Sequence, residues 1–181
     1  MHLPDMRLAV IETIRGVVSQ SASKIGTCAA YGISCEGWLK VEILEALTRR
    51  FSTDDDIEIL PEHKNVDLVV AGSSERVLIE LKTFPCNYGR SGKPITNFIS
   101  GVVADLEKLG RRIGPGAVGI VVWVAYSIPD STPTSWPTHL RKVETAASRT
   151  VCIEKLPLWS GHSAHMYIME AQATCSETGV R

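Results

Sequence analysis

The chain has 181 residues, 44% hydrophobic and 22% charged, with 19 basic against 20 acidic side chains and a net charge of −1. That length suits a single domain, residues 1–181, around one sizeable core, and the composition excludes the disordered, collagenous and membrane-spanning classes. The charge balance excludes an overall basic field, so a polyanionic partner would have to be met by a local surface.

Cys28, Cys35, Cys86, Cys152 and Cys175 form no CxxC pair and are odd in number, which points to a reducing cytoplasm rather than a disulfide framework. Asp5, Arg7, Glu12 and Arg15 interrupt the opening segment as no secretory signal would tolerate. The longest apolar run, residues 117–126, is about half of what a membrane helix needs, so no membrane partner is expected.

In chain order, Leu3, Met6, Leu8, Val10, Ile11, Ile14, Val17 and Val18 recur at spacings of three and four and predict an amphipathic helix. Residues 19–34, rich in Ser, Gly and Ala, read as a connection. A second helix follows over 36–51, with Leu39, Ile43, Ala46 and Leu47 inward. The aliphatic runs 57–60, 66–71 and 76–84 predict three strands, the last two joined as an antiparallel hairpin through residues 72–75. A Gly-rich loop over 86–94 leads into a helix over 95–112, which residues 113–116 stop. Residues 117–126 show no polar alternation, the pattern of a central strand buried on both faces. A Pro-rich loop over 128–137, a helix over 138–149 and strands over 151–159 and 164–171 complete an α/β fold with a mixed central β-sheet flanked by helices.

Chemistry concentrates on the third strand. Glu80 and Lys82 interrupt an aliphatic run two residues apart and therefore share one sheet face, while Val77, Ile79 and Leu81 take the other. The hairpin brings Asp67, at the start of the second strand, near Glu80. Two neighbouring carboxylates repel one another unless a cation bridges them. Hard oxygen donors suit Mg2+ or Mn2+, which takes one or two carboxylates and keeps waters and phosphate oxygens in its other positions. Such a centre activates water for phosphodiester hydrolysis, with Lys82 orienting that water or stabilising added negative charge.

Asn65-Val66-Asp67, a gap of 12 residues and then Glu80-Leu81-Lys82 resemble the PD-(D/E)xK nuclease superfamily. Residues from about 36 to 126 follow that family's order: a helix bearing an acid, a three-strand meander, a helix and a strand. The N-terminal helix and C-terminal strands are additions. Val66 stands where the family's name has proline, a position that is not a metal ligand. The resemblance implies a restriction-endonuclease-like fold and a Mg-dependent nuclease, with DNA the favoured substrate. It also implies Asp67 and Glu80 as metal ligands, Lys82 as a catalytic residue, and a helix glutamate completing the site.

Glu36 and Glu42 compete for that last role, and the motif does not discriminate. On a helical wheel with Glu36 at 0°, the apolar positions centre near about 330° and Glu42 falls near about 240°. The wheel therefore favours Glu36, in the first turn, and leaves Glu42 as a flanking residue.

A second acid-x-Lys triplet, Glu62-His63-Lys64, lies in a polar stretch after Pro61 and lacks an aliphatic run to hold it in a sheet. Arg90 and Lys93, in the loop leaving the third strand, are the best placed of the basic residues to hold a phosphate backbone; Lys40 is another candidate. His162, His165 and Cys175 lack the paired spacing of a zinc site. The competing reading is a non-catalytic nucleic-acid-binding or protein-interaction module on the same fold, and a homodimer or larger assembly stays open under either.

Overall fold

The computed structural model describes residues 5–86, 95–129, 131, 133–159 and 161–174. Three helices come first, α1 (Met6–Gln20), α2 (Ala22–Tyr31) and α3 (Glu36–Arg50), then the meander β1 (Glu58–His63), β2 (Val66–Ala71) and β3 (Arg76–Pro85). They are followed by α4 (Ile95–Gly110), β4 (Ala117–Pro129), α5 (Trp136–Ala146), β5 (Ala147–Trp159) and β6 (His162–Ala171). The sheet order is β1-β2-β3-β4-β6-β5, with β3 and β4 parallel and every other neighbouring pair antiparallel. Among the described residues, no helix is long and apolar enough to cross a membrane.

The central position expected for residues 117–126 is observed, and its physical reason is visible. Ile120, Val122, Val124 and Tyr126 pack under α1–α3, whereas Val121, Trp123 and Ala125 pack under α4 and α5. With both faces covered, neither set of alternate side chains is left to be polar. The one core expected from chain length is accordingly two cores, separated by the sheet.

Three expectations need correction. The Ser/Gly/Ala-rich segment after α1 contains α2, because Ile25 and Ala29 supply an apolar stripe that is buried and Gly32, at φ 66°, closes the helix in the left-handed conformation. β1 runs through Pro61 to His63, which is tolerated because β1 is the sheet edge and one side of its backbone needs no partner. The triplet Glu62-His63-Lys64 is thus partly in the sheet after all. Lys64 and Asn65 both have positive φ, 51° and 60°, and form a two-residue turn whose twist matches the hairpin. Finally, α5 starts at Trp136, with proline in its first turn, and gives residues 147–149 to β5.

Candidate functional site

The β2–β3 hairpin register pairs Leu68 with Ile79 and Ala71 with Arg76. The ladder ends at Leu68 and Ile79, one residue short of Asp67 and Glu80. There the side chain takes over from the ladder, and Asp67 Oδ2 accepts the Leu81 backbone N–H at 2.8 Å. Strand alternation turns Val77, Ile79 and Leu81 into the α1–α3 core and projects Glu80 and Lys82 toward α4.

Glu80 is 3% exposed. Burial is the main reason its carboxyl rises from an ordinary 4.5 to about 7; the negative charges of Asp67 and Asp105 add to the rise, and Lys108 opposes it. Lys108, from α4, places Nζ 2.5 Å from Glu80 Oε1 and donates to the Asn65 carbonyl at 3.2 Å. Lys82 Nζ lies 3.3 Å from Asp105 Oδ2, also on α4. Burial works against the Lys82 charge, but Asp105, Glu36 and Asp67 outweigh it and raise its pKa, so this ammonium remains protonated. On the other side, Lys40 of α3 reaches Glu62 Oε1 at 2.6 Å and Asp67 Oδ1 at 2.8 Å.

Glu36 arrives from the opposite layer. Tyr126 donates its hydroxyl to the Ile33 carbonyl at 2.7 Å, fixing the connection before α3. The first turn of α3 then delivers Glu36 Oε2 to the Thr83 backbone N–H at 3.0 Å, one residue from Lys82. Glu42 instead accepts from Trp38 Nε1 and Lys24 Nζ, both at 2.9 Å, in a bridge between α2 and α3. Glu36 therefore stands beside the β3 residues, while these hydrogen bonds of Glu42 stay within α2 and α3.

The described residues contain no group of three His, Cys, Asp or Glu side chains arranged to hold a metal ion. The donor set fits a cation held by Asp67 and Glu80 with water in its remaining positions, as magnesium accepts. Glu36 commits one carboxylate oxygen, Oε2, to the Thr83 N–H. Lys40 and Lys108 hold the same two carboxylates, so a cation there competes with both ammoniums.

Arg90, Lys93 and Cys175 lie outside the described residues. Lys40, which the sequence offered as a phosphate contact, is engaged with Glu62 and Asp67. His165 contacts Ser163 and Tyr167 along β6. Sequence reasoning missed Asp105 and Lys108. The available signal for Asp105 was a carboxylate on the inward stripe of α4, among Val102, Leu106 and Leu109, where an apolar residue is the rule.

Glu80 gives the site a measurable signature. Its folded-state pKa is raised, so its contribution to stability is fully present below about 4.5 and is lost as pH climbs through about 7. In chelator-containing buffer, Glu80→Gln should melt at an increasingly higher temperature than wild type between pH 4.5 and 7, with the difference levelling above that. Thermal melts across this range test it, and a difference that shrinks with rising pH would contradict the burial argument.

No protein-family model, curated protein or solved structure matches the chain. The class defined by its own geometry is a helix-flanked mixed α/β sheet with an acid-and-lysine cluster where β2 and β3 meet α4.

Proposed function

We propose that the protein is a metal-dependent phosphodiesterase of the restriction-endonuclease-like kind, a cytoplasmic nuclease with DNA as its substrate. The observation that carries this reading is the gathering of Asp67, Glu80 and Lys82 at the junction of β2 and β3, where Glu80 and Lys82 both feel the Asp67 charge. The succession α3, β1–β2–β3, α4, β4 supports it, being the order that the motif's resemblance implies.

Asp67 and Glu80 would hold Mg2+ or Mn2+, which supplies a water activated near neutral pH and neutralises charge on the phosphate. Around it the chain's own groups have separate tasks. Lys82, kept charged by Asp105, Glu36 and Asp67, serves as a hydrogen-bond donor to the attacking water or the phosphoryl oxygen rather than as a base. Water adds to phosphorus and gives up one proton to solvent, the P–O ester bond breaks, and the departing oxygen takes up a proton from solvent. Glu36 steadies β3 at Thr83 and adds its negative charge to those that keep Lys82 protonated.

Titrating the purified protein with manganese, and incubating it with duplex and denatured DNA, tests the reading directly. A protein that binds no divalent metal and cuts neither substrate would refute it. One observation favours the non-catalytic module as the second reading: Lys40 and Lys108 already neutralise Asp67 and Glu80 from within the chain.

The two helix glutamates provide an internal comparison. Glu36→Gln keeps an oxygen for the Thr83 N–H but removes the charge that Lys82 feels, so cleavage should fall; Glu42→Gln disturbs only the Lys24 and Trp38 bridge and should leave cleavage near wild type. Assaying the two side by side decides between them, and the opposite ranking reverses the assignment.

A further inference from the structure

We infer that Asp105 of α4 is the positioning residue for Lys82. The inference rests on the phosphodiesterase reading for its chemistry and on four contacts for its geometry. Asp105 Oδ2 lies 3.3 Å from Lys82 Nζ and Oδ1 lies 3.5 Å from Lys108 Nζ. Lys108 continues to Glu80 at 2.5 Å and to the Asn65 carbonyl at 3.2 Å. The chain Lys82, Asp105, Lys108, Glu80 thus begins and ends on one face of β3, two residues apart.

A carboxylate at this place is costly for α4 alone. The Asp105 side chain is only 13% exposed and sits on the apolar stripe that packs against the sheet, so its charge has to be met by partners. Lysine needs such a holder. Its four-carbon stem has many rotamers to lose, and its ammonium is a point charge with no preferred direction of its own. The stem runs beside α4 on its way to that holder: a Cβ at Gly101, one turn before Asp105, would lie 3.7 Å from Lys82 Cε, an ordinary van der Waals distance. The stem thus passes Gly101 and its ammonium ends at Asp105, on the side of β3 that carries Glu80. Lys108 has a complementary task, occupying the second oxygen of Asp105 and tying α4 to the turn that leads into Asp67.

A carboxylate that acts through Lys82 should affect turnover more than substrate binding, and should be replaceable by a longer acid better than by an amide. The protein is labelled with ε-13C lysine, the Lys82 resonance is assigned with Lys82→Arg, and wild type, Asp105→Asn and Asp105→Glu are compared. The same proteins are assayed for kcat and KM on duplex and denatured DNA with manganese. Asp105→Asn is expected to shift the Lys82 resonance and to lower kcat by about 10–100-fold with KM little changed, while Asp105→Glu recovers part of both. An unmoved Lys82 resonance in Asp105→Asn overturns the inference whatever the activity, as does an unchanged kcat in an enzyme that cuts. If wild type cuts neither DNA, the nuclease reading falls, and the resonance alone decides whether Asp105 holds Lys82.

Discussion

Asp67→Asn and Glu80→Gln should each reduce manganese-supported DNA cleavage by about 1,000-fold, the scale on which one group that stabilises developing charge matters in a water-poor site. Their effects on the fold should differ. Asp67 binds the Leu81 N–H and Lys40 at once, so Asp67→Ala leaves a backbone donor without its partner and should cost about 1–3 kcal/mol of stability. Asp67→Asn retains an oxygen for that N–H and removes only the charge, which makes it the cleaner test of chemistry. Glu80 behaves in the opposite sense, because its buried carboxylate is held at a cost above pH 7 and Lys108 keeps the Asn65 carbonyl and Asp105 when the acid is lost. Asp67→Ala and Glu80→Gln should therefore have the same effect on cleavage and opposite effects on melting temperature at pH 8. Equal destabilisation by Asp67→Ala and Glu80→Gln would show that this account of the site's electrostatics is wrong.

Lys82→Ala should lower cleavage by about 100–1,000-fold while leaving manganese affinity unchanged or stronger. The ammonium donates to whatever carries negative charge in the reaction, but its own positive charge opposes a cation bound at Asp67 and Glu80. Removing it separates catalysis from metal binding, which no change to the two carboxylates can do. The fold should survive, since the Lys82 side chain is 35% exposed and Asp105 keeps Lys108 as a partner. Lys82→Arg should not restore the rate, because a planar guanidinium presents its charge and donors in a different geometry from a compact ammonium. Calorimetric titration with manganese, run beside the cleavage assay, measures both quantities. Loss of metal binding in Lys82→Ala would make Lys82 a structural support of the carboxylates instead.

Local order was legible in the sequence where the buried face of an element is long enough to show a period. The spacing of Leu39, Ile43 and Leu47 marked α3, the unbroken run under β4 marked a strand covered on both sides, and the two-residue repeat alone put Glu80 and Lys82 on one face of β3. The hairpin between β2 and β3 followed from two aliphatic runs separated by four turn residues. α2 escaped notice because its buried stripe is only Ile25 and Ala29, too short a signal to stand out from Ser, Gly and Ala around it. The extension of β1 through Pro61 was likewise hidden, since only its place at the sheet edge makes a proline harmless there.

What the tertiary structure decided is the company each charged residue keeps. Glu36 meets Thr83 across 47 residues and Lys40 meets Asp67 across 27, and Lys108 meets the Asn65 carbonyl across 43. No local periodicity encodes contacts of that span, which arise when helices from two layers close over the same end of a hairpin. Sequence alone, through alternation along a strand, determined that an acid and a lysine share a face. Only the packing of α3 and α4 on opposite sides of the sheet decided that Lys40, Asp105 and Lys108 would balance them, because in a poorly solvated place a charge is held by whichever opposite charge the fold brings within reach.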